Sequence, residues 1–322
     1  MPGPLSGKLV AVTGAAGFIG ARLAGRLAQD QCTLLRVFRS NAPPIVDAVA
    51  RVIDLSGDVG DRAICDRLVE ADVIFHLAAQ TSVAEAAARP DRDLDANVTP
   101  MRQLLAACRE RTRRPTVLFA GTVTEAGVPA RLPVNEDALD DPITVYDRHK
   151  LIAERELKTA ARRGEVFGAT LRLCNVYGPG AHGRRADRDV LNRMISAAMI
   201  GQPLTIYGDG GQIRDYVFVD DVVDAFLLAA AHAGRVNANH FVIGSGRGTT
   251  IRAAFECVAA RAERATGRPV RVTSVAPPMP LGDIERRNCI ADHTRFTAAT
   301  GWRPSVDLSE GIDRTIEALA CV

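Results

Sequence analysis

Thr13-Gly14-Ala15-Ala16-Gly17-Phe18-Ile19-Gly20 follows a short apolar run at residues 9–13 and opens a segment, residues 18–29, in which Ile19, Leu23 and Leu27 recur at helical spacing. Three glycines, each three apart, at a strand-to-helix turn meet one physical need, which is close approach. A side chain at Gly14 or Gly17 would obstruct the turn or push a pyrophosphate away from the free N–H groups and dipole at the helix start. Gly20 lets the helix pack tightly on the strand. The turn is therefore expected to bind a dinucleotide, with Phe18 and Ile19 at its edge.

The pattern continues outward from this turn. Further strands are expected at residues 32–38, 51–55, 73–79, 116–120 and 169–173, and helices at 94–109, 146–162 and 220–231. Strands alternating with helices imply an α/β protein with a Rossmann-type, doubly wound parallel sheet. After Arg172 the pattern loosens. Gly178-Pro179-Gly180, Gly208-Asp209-Gly210-Gly211 and Pro277-Pro278-Met279-Pro280 mark loops and a rigid connection. The expected division is a cofactor domain of residues 1–171 plus about 214–244, and a smaller, discontinuous C-terminal substrate lobe of about 172–213 plus 245–322.

Composition narrows the function. Of 322 residues, 47% are hydrophobic and 24% charged, enough to bury a large core. Forty basic and 38 acidic residues leave a net charge of +2, so nothing electrostatic favours nucleic acid or an anionic membrane as partner. The seven cysteines are widely spaced with no C-x-x-C pair, and the six histidines are scattered. Reduced thiols, a cytoplasmic setting and no metal site are the expectations. The stretch before the first strand is short for a signal peptide, and no apolar run is long enough to span a membrane.

The second strand ends Phe38-Arg39-Ser40, and no acid occurs between Asp30 and Asp47. An acid there would hold a free ribose diol. An arginine and a hydroxyl suit a 2′-phosphate instead, so NADPH (NADP) is the expected cofactor. Asp54 and Leu55, after the third strand, are candidate adenine contacts. Tyr146 and Lys150 are i and i+4 on one helix, so their side chains can converge. An ammonium beside a phenol favours the phenolate and makes it a workable acid–base group near neutral pH. Thr122, after the fifth strand, is the candidate hydroxyl that orients a reacting oxygen. Thr124 is expected to point elsewhere in the strand alternation.

These segments resemble an extended short-chain dehydrogenase/reductase of the nucleotide-sugar epimerase/dehydratase superfamily. The likeness includes His76-Leu77-Ala78-Ala79, Asn97-Val98, Arg172-Leu173-Cys174-Asn175-Val176-Tyr177-Gly178-Pro179 and Arg214-Asp215-Tyr216-Val217-Phe218-Val219-Asp220-Asp221. It implies that Leu77, Ala78, Ala79, Asn97, Tyr146 and Lys150 line the cofactor. It also implies that Asn175, Leu191 and Arg214 approach the substrate, that Thr205 and Tyr207 flank its base, and that Asp283, Arg286 and Arg287 reach the nucleotide.

A narrower likeness is to the 4-keto-6-deoxyhexose reductases of antibiotic deoxysugar pathways. It is carried by Phe119-Ala120-Gly121-Thr122, Val145-Tyr146-Asp147-Arg148-His149-Lys150, Ala186-Asp187-Arg188, Gly201-Gln202-Pro203-Leu204-Thr205, His240-Phe241 and Thr300-Gly301-Trp302-Arg303. It implies NADPH-dependent reduction at C4 of a dTDP-linked 4-ketosugar. Sugar 4,6-dehydratases carry Asp-Glu directly after the catalytic Thr; Val123-Thr124 stands here, which argues against dehydration. The alternatives are an NAD-dependent nucleotide-sugar 4-epimerase with the same three residues and, in another class, a non-catalytic NADPH sensor or scaffold. The helices at 94–109 and 146–162 are more apolar than one sheet face needs, and in the family such helices pair across a homodimer.

Overall fold

The computed structural model describes residues 3, 5–180, 190–278 and 282–320. Ala186-Asp187-Arg188, and Met279 and Pro280 of the proline connection, lie outside the described residues. Twelve strands run in chain order: β1 (Leu9–Thr13), β2 (Thr33–Phe38), β3 (Arg51–Ser56), β4 (Val73–His76), β5 (Thr116–Thr122), β6 (Phe167–Leu173), β7 (Asn175–Tyr177), β8 (Leu204–Tyr207), β9 (Ile213–Phe218), β10 (Asn239–Ile243), β11 (Gly248–Thr250) and β12 (Val272–Val275).

Seven of them form one parallel sheet in the order β10-β6-β5-β4-β1-β2-β3. The order reverses direction between β1 and β4, which opens a crevice at the carboxyl ends of the strands where ligands of such sheets bind. The central strands β1 and β4 are apolar up to their last residues, Thr13 and His76, because helices cover both faces. Two smaller sheets, β11-β9-β7 and β12-β8, lie over a third core containing Tyr177, Ile195, Phe218, Phe255 and Ile312. The segment 214–244 therefore starts in a small sheet, through β9, and rejoins the large one at β10.

The expected helix at 94–109 is two helices, Pro90–Asn97 and Thr99–Arg109. Pro100 brings no N–H to the ladder, so it sits in the first turn of a new helix and breaks the old one at Val98. The apolar surplus assigned to a dimer contact is buried inside the chain: Met101, Leu104, Leu105 and Cys108 of one helix, and Leu151, Ala153 and Leu157 of Val145–Arg162. The outer faces carry the ion pairs Arg102–Glu156 and Arg109–Glu165.

Gly14 has φ +68°, a conformation that suits glycine, and a Cβ there would lie 2.8 Å from the Ala78 amide nitrogen. A Cβ at Gly20 would overlap the Gly14 carbonyl. Gly20→Ala is therefore expected to cost about 1–3 kcal/mol through overpacking, read as a lower urea midpoint at unchanged m-value.

Candidate active site

The helix Phe18–Leu27 begins at Gly17, whose extended backbone offers no side-chain cap. Its first N–H groups are left to a ligand or water. The Thr13 hydroxyl, at the end of β1, accepts from the amides of Leu77 and Ala78, each at 3.1 Å, and bonds His76 Nδ1 at 3.0 Å. One side chain thus ties the Leu77-Ala78-Ala79 segment to the glycine turn. Backbone approaches backbone here as closely as it can only because Gly14 has no Cβ. The open helix start and this glycine cradle fit a dinucleotide.

Arg39 and Ser40 lie beyond β2, with Arg39 half-exposed and 3.8 Å from Asp58. Asp54 is not at a strand end. It lies within β3, opposite Arg36 in the register of β2, and both of its oxygens accept from that guanidinium at 2.7 and 2.6 Å. The Asp54 carboxylate stays half-exposed beside this ion pair, and a second acid, Asp58, stands just past the end of β3. Leu55 follows Asp54 in the same strand.

Tyr146 and Lys150 project from Val145–Arg162. A reciprocal capping box starts this helix: Asp147 N donates to Thr144 Oγ1 at 3.0 Å, and Asp147 Oδ2 accepts from Thr144 N. The other Asp147 oxygen accepts from the Thr124 hydroxyl, and Thr124 Oγ1 lies 2.9 Å from Thr122 Oγ1. An unbroken chain of hydrogen bonds therefore connects Thr122 to the first turn of the helix that carries Tyr146. Thr124 belongs to this chain because the strand alternation stops at Thr122. Residues Val123–Ala126 form a 3₁₀ turn that brings Thr124 back beside it.

Glu125 was missed as a functional residue, although Thr122-Val123-Thr124-Glu125 has the spacing of a capping box. Its Oε1 accepts from the Thr122 amide at 2.9 Å, and its Oε2 lies 3.1 Å from Arg172 Nε. That second contact is ionic, because the Nε hydrogen points to Glu154 at 2.9 Å. Arg172 also reaches Asp140 at 2.7 Å, and Glu154 receives Lys158 at 2.7 Å and faces His240 at 3.3 Å. Burial, then the neighbouring Glu154, pushes the Glu125 carboxyl well above the usual range. Burial pushes Glu154 upward too, but hydrogen bonds from His240 and Arg172 win and hold it well below.

Lys150 is buried, with its ammonium 4.1 Å from the centre of the Phe119 ring, which stacks on His76. Burial lowers this ammonium to about 8, against the opposing pull of Glu125, Asp93 and Glu154. Burial, reinforced by Lys150, lowers His76 to about 3, so its imidazole is neutral. If Lys150 acts as a cation, kcat/KM should fall as pH rises through about 8, because the ammonium is then lost. A profile flat from pH 7 to 9.5 would remove that role. Asn97, on the preceding helix, is buried and donates to Gln80 O and Asp93 Oδ1, and its Oδ1 has no partner among the described residues.

In the second lobe, Thr205 and Tyr207 share the exposed face of β8, since residues two apart on a strand point the same way. Asn175 is exposed on β7. Arg214 is held by the backbone carbonyls of Glu285 and Arg287. Leu191 departs from expectation. Its side chain is packed in the third core with Tyr177 and Ile195, so it is not offered to a ligand. No group of three or more metal-ligating side chains occurs among the described residues, and no described helix is long and apolar enough to cross a membrane.

Comparison with known proteins agrees with this architecture. The model of the NAD dependent epimerase/dehydratase family matches residues 10–244. A UDP-glucose 4-epimerase of Mycolicibacterium smegmatis is 34% identical over 315 residues, covering 95% of this chain and 96% of that protein. The structure of a UDP-glucose 4-epimerase of Thermotoga maritima with UDP-glucose superposes with a TM-score of 0.85 at 29% identity, covering 97% of this chain and 99% of the other. That of MoeE5 in complex with UDP-glucuronic acid and NAD superposes with a TM-score of 0.82 at 29% identity and the same coverage. A glycine turn at a parallel-sheet crevice, a Tyr and Lys one helical turn apart, and a match over most of the chain give one conclusion: the chain belongs to the NAD dependent epimerase/dehydratase family.

Proposed function

We propose that the protein is a nucleotide-sugar 4-epimerase that uses NAD. The observation that carries this reading is the hydrogen-bonded chain Thr122–Thr124–Asp147–Thr144. It fixes a hydroxyl against the first turn of the helix bearing Tyr146 and Lys150. The 4-epimerase named among the relatives at 34% identity supports it as well. When bound, the nicotinamide supplies a reversible hydride acceptor.

The chain's own residues do the rest. Tyr146 takes the proton from the sugar's O4 as hydride leaves C4, and returns it when hydride comes back to the other face. Thr122 donates to the same oxygen and stabilises its developing charge. Lys150 keeps the phenol acidic. Asn175 and Arg214 hold the diphosphate, while Thr205 and Tyr207 flank the base. This remote binding energy aligns C4.

A second reading is NADPH-dependent reduction of a dTDP-4-keto-6-deoxyhexose. It is favoured by Arg39 at the end of β2, where no acid stands between Asp30 and Asp47. Asp58 shares the charge of that arginine, which weakens the case for a 2′-phosphate. One experiment separates the two. The protein is incubated with a UDP-hexose and a trace of NAD, and in parallel with the 4-ketosugar and NADPH. Absorbance at the nicotinamide band and C4 configuration by NMR are followed. Epimerisation without net cofactor consumption supports the first reading, and stoichiometric NADPH oxidation the second. A homodimer rests on the family likeness alone and is tested by light scattering.

A further inference from the structure

Asp93 is buried in the helix Pro90–Asn97, whereas Asp91 and Asp95 of the same helix are exposed. An acid in a first turn complements the helix dipole from the surface. Taking a carboxylate out of water costs stability unless its oxygens are bonded and a cation lies near. Capping alone does not account for the burial of Asp93.

Both of its oxygens are engaged. Oδ1 accepts from Gln80 Nε2 at 2.7 Å and from Asn97 Nδ2 at 2.9 Å, and Oδ2 lies 2.7 Å from His149 Nδ1. A carboxylate can only accept, so Nδ1 of His149 carries the hydrogen. Each partner leads to the candidate active site. Gln80 directly follows the Leu77-Ala78-Ala79 segment that Thr13 ties to the glycine turn. Its amide also grips Ser82, with Nε2 donating to Ser82 O at 2.8 Å and Oε1 accepting from Ser82 N. Asn97 donates to the Gln80 carbonyl at 3.0 Å. His149 stands three residues after Tyr146 and one before Lys150 on the helix Val145–Arg162. One buried carboxylate thus joins the end of the cofactor segment to the turn that carries the acid–base pair. The Thr124–Asp147 bond holds the start of that helix to the Thr122 turn, and Asp93 holds its next turn to the loop after β4.

Asp93 also bears on charge. The ionisable side chains that face buried Lys150 are Glu125 from the 3₁₀ turn, Asp93 from the helix Pro90–Asn97, Glu154 from its own helix and neutral His76 from β4. The three carboxylates favour the ammonium, and burial opposes it. Glu125 and Glu154 are both engaged by Arg172, whereas the partner of Asp93 is the imidazole of His149.

We propose that Asp93 is a positioning residue for the reaction: through His149 it holds the Tyr146–Lys150 turn against the cofactor segment, and it supplies a counter-charge to Lys150. The inference rests on the nucleotide-sugar reading above, in which that turn moves the proton.

The test compares the wild-type full chain with Asp93→Asn. Asparagine keeps the shape and still accepts from Gln80 and Asn97. It can donate to His149 Nδ1 once the imidazole hydrogen moves to Nε2, so the variant removes the charge and spares the packing. The chain has three lysines, Lys8, Lys150 and Lys158. Isotopically labelled lysine therefore lets the Lys150 titration be followed by NMR without any substrate, with Lys150→Met identifying its signal. In Asp93→Asn the Lys150 midpoint is expected to drop by about half a pH unit or more. Its kcat on the best nucleotide sugar should fall about tenfold or more, while KM and NAD affinity stay close to wild type. An unmoved Lys150 midpoint overturns the proposal, and so does an unchanged kcat. His149→Leu guards against misfolding of the first variant, because it breaks the link and leaves Asp93 in place. It should lose kcat, and His149→Gln, which keeps a donor, should recover most of it; equal turnover of these two also overturns the proposal. A wild type that turns over no nucleotide sugar, with the Lys150 midpoint still shifted in Asp93→Asn, keeps the coupling of Asp93 to Lys150 and sinks the nucleotide-sugar reading.

Discussion

Tyr146→Phe is expected to keep cofactor affinity and to lose about two to four orders of magnitude in turnover, the range for removing a positioned acid–base group. The variant deletes one oxygen and leaves the ring. The first turn of its helix is held independently, by the Thr144–Asp147 capping box and by Thr124 on Asp147. A loss of turnover cannot then be blamed on a displaced helix. Titration of NAD quenching should give the wild-type dissociation constant, while turnover on the best nucleotide sugar collapses. Thr122→Val is the companion. It removes the hydroxyl but keeps the shape, and should cost less than Tyr146→Phe because the proton carrier remains, although the bonds to Thr124 are lost with it. Turnover of Tyr146→Phe within a few-fold of wild type would mean that another group moves the proton.

The second large effect is on stability. Arg172 is buried and is the common partner of Glu125, Glu154 and Asp140. Arg172→Leu leaves two fully buried carboxyl groups without their main counter-charge, and removing one partner of a buried ion pair costs about 3–5 kcal/mol. His240 and Lys158 still face Glu154, so the lower half of that range is expected, measured as a drop in urea midpoint at pH 7.

The pH dependence gives an independent check. In the wild type Glu154 is held below the ordinary carboxylate range, so it contributes stability above about pH 4.3 that is lost as pH falls through its folded value. In the variant, burial is less opposed and Glu154 takes up its proton at higher pH. The gap between wild type and variant should therefore narrow on acidification from pH 7 to 4. A gap independent of pH would point to lost packing rather than lost charge.

Most of the large sheet was legible in the sequence because its signals are local. The run at residues 9–13, the glycine turn and the apolar spacing of Ile19, Leu23 and Leu27 each act within a few residues, and β1 and the start of the first helix fall where that spacing puts them. Tyr146 and Lys150 were legible for the same reason, as one turn of one helix. What could not be read depends on register between distant segments. Asp54 looked free until β2 and β3 aligned it with Arg36. Thr124 looked like the far side of a strand until the 3₁₀ turn brought it round. Leu191 looked available until the third core enclosed it. The Asp93–His149 contact joins segments 56 residues apart, which no periodicity reports.

The Arg36–Asp54 pair has a practical consequence. Facing each other across adjacent parallel strands, with Arg36 nearly sealed from water, they form a neutral rung of the sheet. A charge swap at Asp54 meant to change dinucleotide preference would strand the buried Arg36 guanidinium. Mutant libraries for that purpose belong beyond the strand ends, at Arg39, Ser40 and Asp58, where side chains reach solvent and the scaffold does not depend on them.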